Sequence, residues 1–575
     1  MVDIPASTFF NFFLYLFIPF TIAIFFKKNK LSPLIGYILG GVIIGNFFNG
    51  LFSKDIINNF AYFGIVLLIF TIGLEVQFDR ILALKKFIII GGFLQIIISV
   101  TIVCVLSTFF GFTLLQSFLL GLAFSSSSTT LVAKIIQDRG EESSFHGELA
   151  LGILMFQNIA FIPFMIVFSS FTSQAISFFE ITKKISVDLI ISLIILLIVY
   201  YGGRKIVPYI FDKTARVSRE LLNLFIIIFI FFVGYLSSLL KVPILVSVFV
   251  AGILIAQTLE HYHIFSQIRP LRDLLAIIFF VFIGSTLKID LALSLFPKIL
   301  LFASMVIVAK GLVILLIFLF FRLSSKLSFY LSLFLFQIDE DAFILMSLAY
   351  ANKIFDKEDY IFVVGTILLT LIITPVLVSN KELIYMMVRN FIKKISPPLD
   401  QYIKHRIDSN RSSIEVLNIK DHVVICGYGR VGSYVGRALM LANIPFIAID
   451  YNFHTVEKAK KEGATIIYGD TTDIDILDYA EAENALVLIM AVPNRFSQEA
   501  IILNVRKLNP KALIISRVHK QNDHRRMRDL GVDYVVQPEF EASLSIIKKI
   551  FLIKKLPKEE IVKKIQYFKL EQGGI

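Results

Sequence analysis

The sequence predicts a polytopic α-helical membrane protein with inverted repeats and discontinuous helices, followed by a cytosolic α/β domain of the Rossmann type. Three observations predict it. Apolar runs of near-span length recur from residue 8 to about residue 380, each able to cross a hydrocarbon core of roughly 30 Å. Two of those runs are interrupted by polar residues. After about Asp421 the texture changes to short β-rich runs alternating with charged helical patterns. The composition agrees: of 575 residues, 57% are hydrophobic and only 17% charged, with a mean hydropathy of +0.79.

The spans fall near Thr8–Phe26, Leu34–Phe52, Ile57–Val76, Phe87–Phe110, Leu114–Ile136, Gly147–Phe168 and Val187–Tyr201. They continue at Leu221–Leu240, Pro243–Thr258, Leu274–Leu287, Ile299–Phe321, Phe329–Tyr350 and Ile361–Val378, which makes about 13. Basic residues concentrate in the odd-numbered gaps, for example KKNK at 27–30, Lys85-Lys86, and Arg204 through Arg219. The positive-inside rule therefore places the N-terminus outside and the C-terminal domain in the cytoplasm. The acidic start, with Asp3, lacks the basic segment of a cleavable signal peptide. Net charge is +12, which in a membrane protein reflects cytoplasmic loops rather than nucleic-acid binding. Two cysteines, Cys104 and Cys426, support neither a disulfide framework nor a zinc site, and the eight histidines show no metal spacing. The many phenylalanines read as lipid-facing bulk.

The stretch 121–163 organises the membrane part. Its first apolar segment carries the hydroxyl run Ser125–Thr130, with Ser127, Ser128, Thr129 and Thr130 at its centre. Its second places Gln157-Asn158 five residues before Pro163. Polar groups in hydrocarbon are tolerated when they face protein or a water-filled cavity, where they mark ion paths. The second half has a counterpart in 336–343, FQIDEDAF, which contains Gln337, Asp339, Glu340 and Asp341. Paired interrupted helices point to a transport site at a repeat interface, because broken helices free carbonyls that can replace a cation's hydration shell. Glu75, beside Asp79-Arg80, reads as an interfacial charge.

Residues 381–395, KELIYMMVRNFIKKI, form a basic amphipathic segment expected to lie along the membrane surface, and Pro397-Pro398 end it. The tail opens with a buried strand, 423–426, that turns directly into a helix through Gly427-x-Gly429-Arg430-Val431-Gly432. Glycines let the backbone approach a pyrophosphate, and the helix N-terminus supplies amide donors. The next strand ends at Asp450, where a carboxylate can hold ribose hydroxyls. Further strands end near Asp470, Val492 and Val518. The expected domains are a transmembrane exchanger (1–380), an amphipathic linker (381–420), a nucleotide-binding domain (421–550) and a tail (551–575).

These segments resemble the Kef-type potassium efflux systems of the monovalent cation:proton antiporter-2 family, whose tail is an RCK N-terminal (TrkA-N) domain. The segments 63–81, 121–134, 155–163, 248–258 and 271–291 carry the resemblance, which spans nearly the full length. It implies a Na+/H+ antiporter-like membrane fold in which a core domain rocks against a dimerisation domain in the cell (inner) membrane. It also implies exchange of K+ or Na+ for H+, no enzymatic activity, and a homodimer. The tail would bind NAD(H) or an adenine nucleotide such as AMP, and in some members glutathione. Lys310 matches an intramembrane lysine of the family, and Gln337 and Glu340 match a QGGEF-like motif. Arg430 and Arg517 match anion contacts of glutathione-gated members. About 25 residues follow Ile550, so no second RCK subdomain is expected.

One departure changes the chemistry. Related antiporters place an aspartate where this chain has Asn158, and an amide does not titrate. The expectation is that proton coupling has moved to Asp339-Glu340-Asp341, three adjacent carboxylates that cannot all ionise at low cost in a membrane. Lys310 would pair with one of them when the site is empty. The alternatives are a channel-like uncoupled cation pathway and a membrane-anchored nucleotide sensor without transport.

Overall fold

A computed structural model describes residues 6–29, 31–48, 54–76, 81, 84–139, 141, 144–170, 178–215, 217–240, 242–256, 258, 261–403, 421–472, 474–518 and 521–571. The chain divides into two compact units, one of residues 1–142 and 146–411, the other of residues 412–575 together with 143–145. Asp79, Arg80 and most of the polar linker (404–420) lie outside the described residues.

The first unit is helical. Its helices are α1 (Ala6–Lys28), α2 (Pro33–Phe47), α3 (Lys54–Leu74), α4 (Gly91–Phe109, entered through a π-turn at Lys86–Ile90), α5 (Leu114–Ser125), α6 (Thr129–Asp138) and α7 (Phe145–Ser170). There follow α8 (Phe178–Ala215), α9 (Arg219–Leu240), α10 (Ile244–Ala256), α11 (His261–Thr286) and α12 (Ile289–Phe320). The unit closes with α13 (Ser325–Leu335), α14 (Asp341–Ala351), α15 (Lys357–Ser379), α16 (Lys381–Ile395) and α17 (Pro397–Tyr402). Among the described residues, 7 helices are long and apolar enough to cross a membrane, and shorter apolar helices stand between them. Several helices outrun their apolar windows. α8 has 38 residues and α11 begins at His261, because a helix keeps its backbone bonds after the chain turns polar.

Two helix groups pack within this unit. In one, α2 and α3 pack on α11, and α3 also packs on α10. Their backbones touch: a Cβ on Gly284 would lie 2.0 Å from the Ile38 carbonyl, and one on Gly73 would lie 2.2 Å from that of Phe249. Small residues at crossings are how membrane helices gain contact when no hydrophobic drive separates them from lipid. In the other group, α12 packs on α4, α13 and α15, and α14 packs on α15 and α5. Phenylalanine fills this group rather than merely coating it. The Phe110 and Phe302 rings sit 4.7 Å apart and Phe302 and Phe362 5.2 Å apart, with Phe124 and Phe343 fully buried. The expectation that phenylalanine only faces lipid is corrected here, although Phe9, Phe109 and Phe320 do lie exposed.

The second unit holds six parallel strands, β1 (Val423–Cys426), β2 (Phe446–Asp450), β3 (Ile466–Tyr468), β4 (Val487–Met490), β5 (Leu513–Arg517) and β6 (Tyr534–Val536). Their order is β3-β2-β1-β4-β5-β6, the doubly wound arrangement. The central strands are buried on both faces, as parallel strands covered by helices must be. The order reverses between β1 and β4, and β1 leads through the glycine loop into α18 (Arg430–Leu441).

Candidate functional site

Both polar interruptions are helix breaks. α5 stops at Ser125, Ser126 turns extended at ψ 162°, and α6 restarts at Thr129 with the Ser128 hydroxyl accepting from the Leu131 amide at 3.2 Å. Consecutive serines favour this because their hydroxyls compete for backbone groups and cap a new helix well. In the second break, α13 ends at Leu335 and α14 restarts at Asp341.

A break in hydrocarbon must satisfy the backbone groups it frees. At the first, the Gln95 amide nitrogen donates to the Ser125 carbonyl at 2.9 Å, and the Ser127 N–H donates to Gln157 Oε1 at 2.9 Å. Gln157 Nε2 donates to Gln95 Oε1 at 2.8 Å, so the two amides form one relay. At the second, the Ile338 N–H donates to Thr370 Oγ1 at 3.2 Å. The breaks also meet each other. Ser127 Oγ donates to the Leu335 carbonyl at 2.6 Å, and Thr130 Oγ1 donates to Glu340 Oε1.

Lys310, from the middle of α12, joins the two. Its ammonium donates to the Ser126 carbonyl at 2.8 Å and to the Gln337 carbonyl at 2.7 Å. These carbonyls lie just past the C-terminal ends of α5 and α13, where helix dipoles present negative charge. Among the described residues no carboxylate lies within 4 Å of the lysine, which holds backbone oxygens, with Asp339 within electrostatic reach. Asp339, Glu340 and Asp341 are all buried, at 4%, 8% and 4% exposure, around the N-terminal, positive end of α14.

The other candidates fall into place around this crossing. Asn158 is buried and its Oδ1 accepts from the Thr129 hydroxyl at 3.2 Å. Gln337 is fully buried, yet among the described residues neither its amide nitrogen nor its oxygen has a hydrogen-bond partner, and the Ser126 hydroxyl is likewise unpartnered. Glu75 faces Arg272 of α11 at 3.8 Å. Gln95 and Thr370 escaped the sequence reading. Their signals are faint: Gln95 is a lone amide with Ser99 one turn on, and Thr370 belongs to the buried ladder Thr366, Thr370, Thr374.

In the second unit, Gly427 adopts φ +93° and a Cβ on Gly432 would meet the Gly427 carbonyl at 2.0 Å, so both positions require glycine for the fold itself. Gly429 differs, because nothing lies within 4 Å of where its Cβ would be. That open space at the N-terminus of α18 fits a phosphate group. Arg430 and Val431 begin the helix, with Arg430 exposed. Asp450 ends β2, and its two oxygens accept from the Tyr428 N–H at 2.6 Å and the Asn452 N–H at 2.7 Å. The side chain expected to serve a ribose thus also ties the glycine loop to the sheet. Burial raises its pKa, and those two amides pull it back in part. Asp470 is exposed and caps its own turn, accepting from Thr472 at 2.8–2.9 Å. Arg517 ends β5 within electrostatic reach of Glu539 and Arg430.

Comparisons with known proteins match each unit. The family model of the transmembrane sodium/hydrogen exchanger matches residues 13–379, and the TrkA-N domain matches residues 423–538. YbaL of Escherichia coli strain K12 is 25% identical over 556 residues, covering 95% of this chain and 97% of that protein. A glutathione-regulated potassium-efflux system protein of Haemophilus influenzae is 24% identical over 557 residues, covering 95% and 87%. The solved TrkA-N domain of the E. coli inner membrane protein YbaL shares 29% identity, covers 23% of this chain and 98% of its own, and superposes with a TM-score of 0.22.

Proposed function

This chain belongs to the transmembrane sodium/hydrogen exchanger family, and we propose on that premise that it exchanges a monovalent cation for protons across the membrane. K+ is the favoured cation, Na+ the second, since the similar H. influenzae protein is named for potassium efflux. The carrying observation is the buried crossing of two broken helices, with three carboxylates on one side and a lysine bridging both. Lys310 occupies carbonyl oxygens of the kind that a dehydrated cation needs, and Gln337 offers an amide oxygen with no partner among the described residues. Asn158 can contribute a carbonyl oxygen but no proton. The acids Asp339, Glu340 and Asp341 then carry the exchanged proton, and the Thr130–Glu340 hydrogen bond lets the first break sense their state. The proposal also places the protein in the inner membrane as a homodimer, N-terminus outside.

The glycine loop, with Arg430, Asp450, Asp470 and Arg517 about it, binds a regulatory adenine nucleotide, AMP or NAD(H). The loop's N–H groups and helix end would hold its phosphates, and no redox step is assigned to it. Gly429→Ala should abolish nucleotide binding by calorimetry while leaving the domain's melting temperature unchanged. Binding that survives the added methyl would remove the phosphate site from this loop.

The transport reading is tested by reconstituting the full chain in vesicles and reading internal pH with a dye as K+ or Na+ is added. Proton movement on cation addition supports exchange. Asn158 favours a second reading, an uncoupled cation path, in which cation enters and pH stays constant.

A further inference from the structure

The helix that follows the last span has two faces with different work. Along one edge, Lys381, Tyr385 and Arg389 recur one turn apart and grip α13. The Lys381 ammonium is buried, 2.5 Å from Glu141 Oε2 and over the rings of Tyr330 (4.7 Å) and Phe334 (5.1 Å). Tyr385 and Arg389 both reach the Ser325 hydroxyl, at 2.8 and 3.2 Å. Burial works against charge on Glu141, but the hydrogen bond from His146 and the nearby Lys381 outweigh it and hold its pKa down at about 2. Burial also draws Lys381 below its ordinary value, and Glu141 opposes this only in part. These contacts fix how the helix is rolled.

With the roll fixed, the remaining faces are set. Leu383, Met387, Phe391 and Ile395 are exposed by 53%, 67%, 63% and 65%, and spacings of four residues put them on one stripe. Lys393 and Lys394 are exposed and, among the described residues, make no ion pair. Only Asn380 separates this helix from the end of α15. An apolar stripe with free lysines in the helix's last turn, tethered to a membrane span, is complementary to an anionic headgroup layer with acyl chains beneath it.

We propose that α16 binds anionic phospholipid at the membrane surface beside the last span, its Leu383–Met387–Phe391 face inserted among acyl chains and Lys393 and Lys394 on the headgroups. The seat is transmitted inward, because the same helix holds α13, whose far end is the second break.

The test uses the full chain, with Cys104→Ala, in vesicles with and without phosphatidylglycerol. Spin labels at Met387→Cys and Lys393→Cys report contact with oxygen, which dissolves in acyl chains, and with a water-soluble nickel chelate. The expected result is that oxygen dominates at 387 and nickel at 393. Phosphatidylglycerol should deepen the 387 label, and Lys393→Gln with Lys394→Gln should remove that deepening. Glycerol phosphate in solution should not substitute for the lipid. Nickel dominating at both sites would show a face in water, and exclusion of both reagents would show a face covered by protein, either a second copy or another part of this chain. Either outcome overturns the proposal. This arm is independent of the transport reading. A second arm does rest on it: phosphatidylglycerol should raise cation-driven proton flux several-fold, and the double lysine substitution should erase that rise while leaving flux in neutral lipid unchanged.

Discussion

The two helix breaks occupy matching positions and meet at one lysine, yet they are built from opposite chemistry. The first is neutral and, apart from its Ser126 hydroxyl, satisfied among the described residues. Its carbonyls and amides are taken up by Gln95, Gln157 and Lys310, and its side chains are hydroxyls and amides that keep one protonation state. The second is acidic and left open. Three buried carboxylates gather there, and the Gln337 amide has no partner among the described residues. Buried polar groups are ordinarily satisfied, and exceptions ask for a reason. On the proposed function the reason is a division of labour, with the first break as a fixed wall and the second as the place where charge and ligand change.

Perturbing the shared element should have the largest effect. Lys310→Met leaves the Ser126 and Gln337 carbonyls buried without a donor, a loss of about 3 kcal/mol or more. Thermal unfolding in detergent should show a marked drop and flux should vanish. Unchanged stability would mean that the lysine does not hold the breaks together. Next comes the wall. Gln157→Leu strands the Ser127 N–H and the Gln95 amide oxygen, costing about 2 kcal/mol. Stability should fall while any remaining flux keeps the wild-type pH profile, because no titrating group is lost. A shifted pH profile would contradict the neutral role of the first break. The smallest effect belongs to Thr370→Val, which removes one donor–acceptor contact from Ile338 at about 1 kcal/mol. It should alter apparent cation affinity more than stability, since it loosens only the open break. The reverse ranking would dissolve the contrast.

Much of this was legible in the residues. The serine–threonine run and the FQIDEDAF stretch announce themselves because polar residues in succession exceed what helix packing needs, and both prove to be breaks. The strand ends at Cys426 and Asp450 follow from apolar runs bounded by glycine and acid, the end expected near Val518 falls one residue earlier at Arg517, and the doubly wound sheet follows from such runs. Single residues were less legible. Gln95 and Thr370 look like any isolated polar side chain in an apolar helix, and their partners come from elements far away in sequence. Lys310 was visible as a buried charge, but its choice of carbonyls over carboxylates depends on where two half-helices end. Asp450 read as a ligand residue, and its second task, holding the Tyr428 amide, depends on a turn that only the folded loop defines. Glu141 and Lys381 sit 240 residues apart, and no spacing rule joins them.

The most direct measurement is cation-driven proton flux in vesicles for Asp339→Asn, Glu340→Gln and Asp341→Asn beside wild type. If titration resides in the second break, at least one of the three should lose proton movement by a hundredfold or more while the protein still folds and reconstitutes. If all three keep full coupling, the proton travels elsewhere and the division between a neutral and an acidic break is wrong.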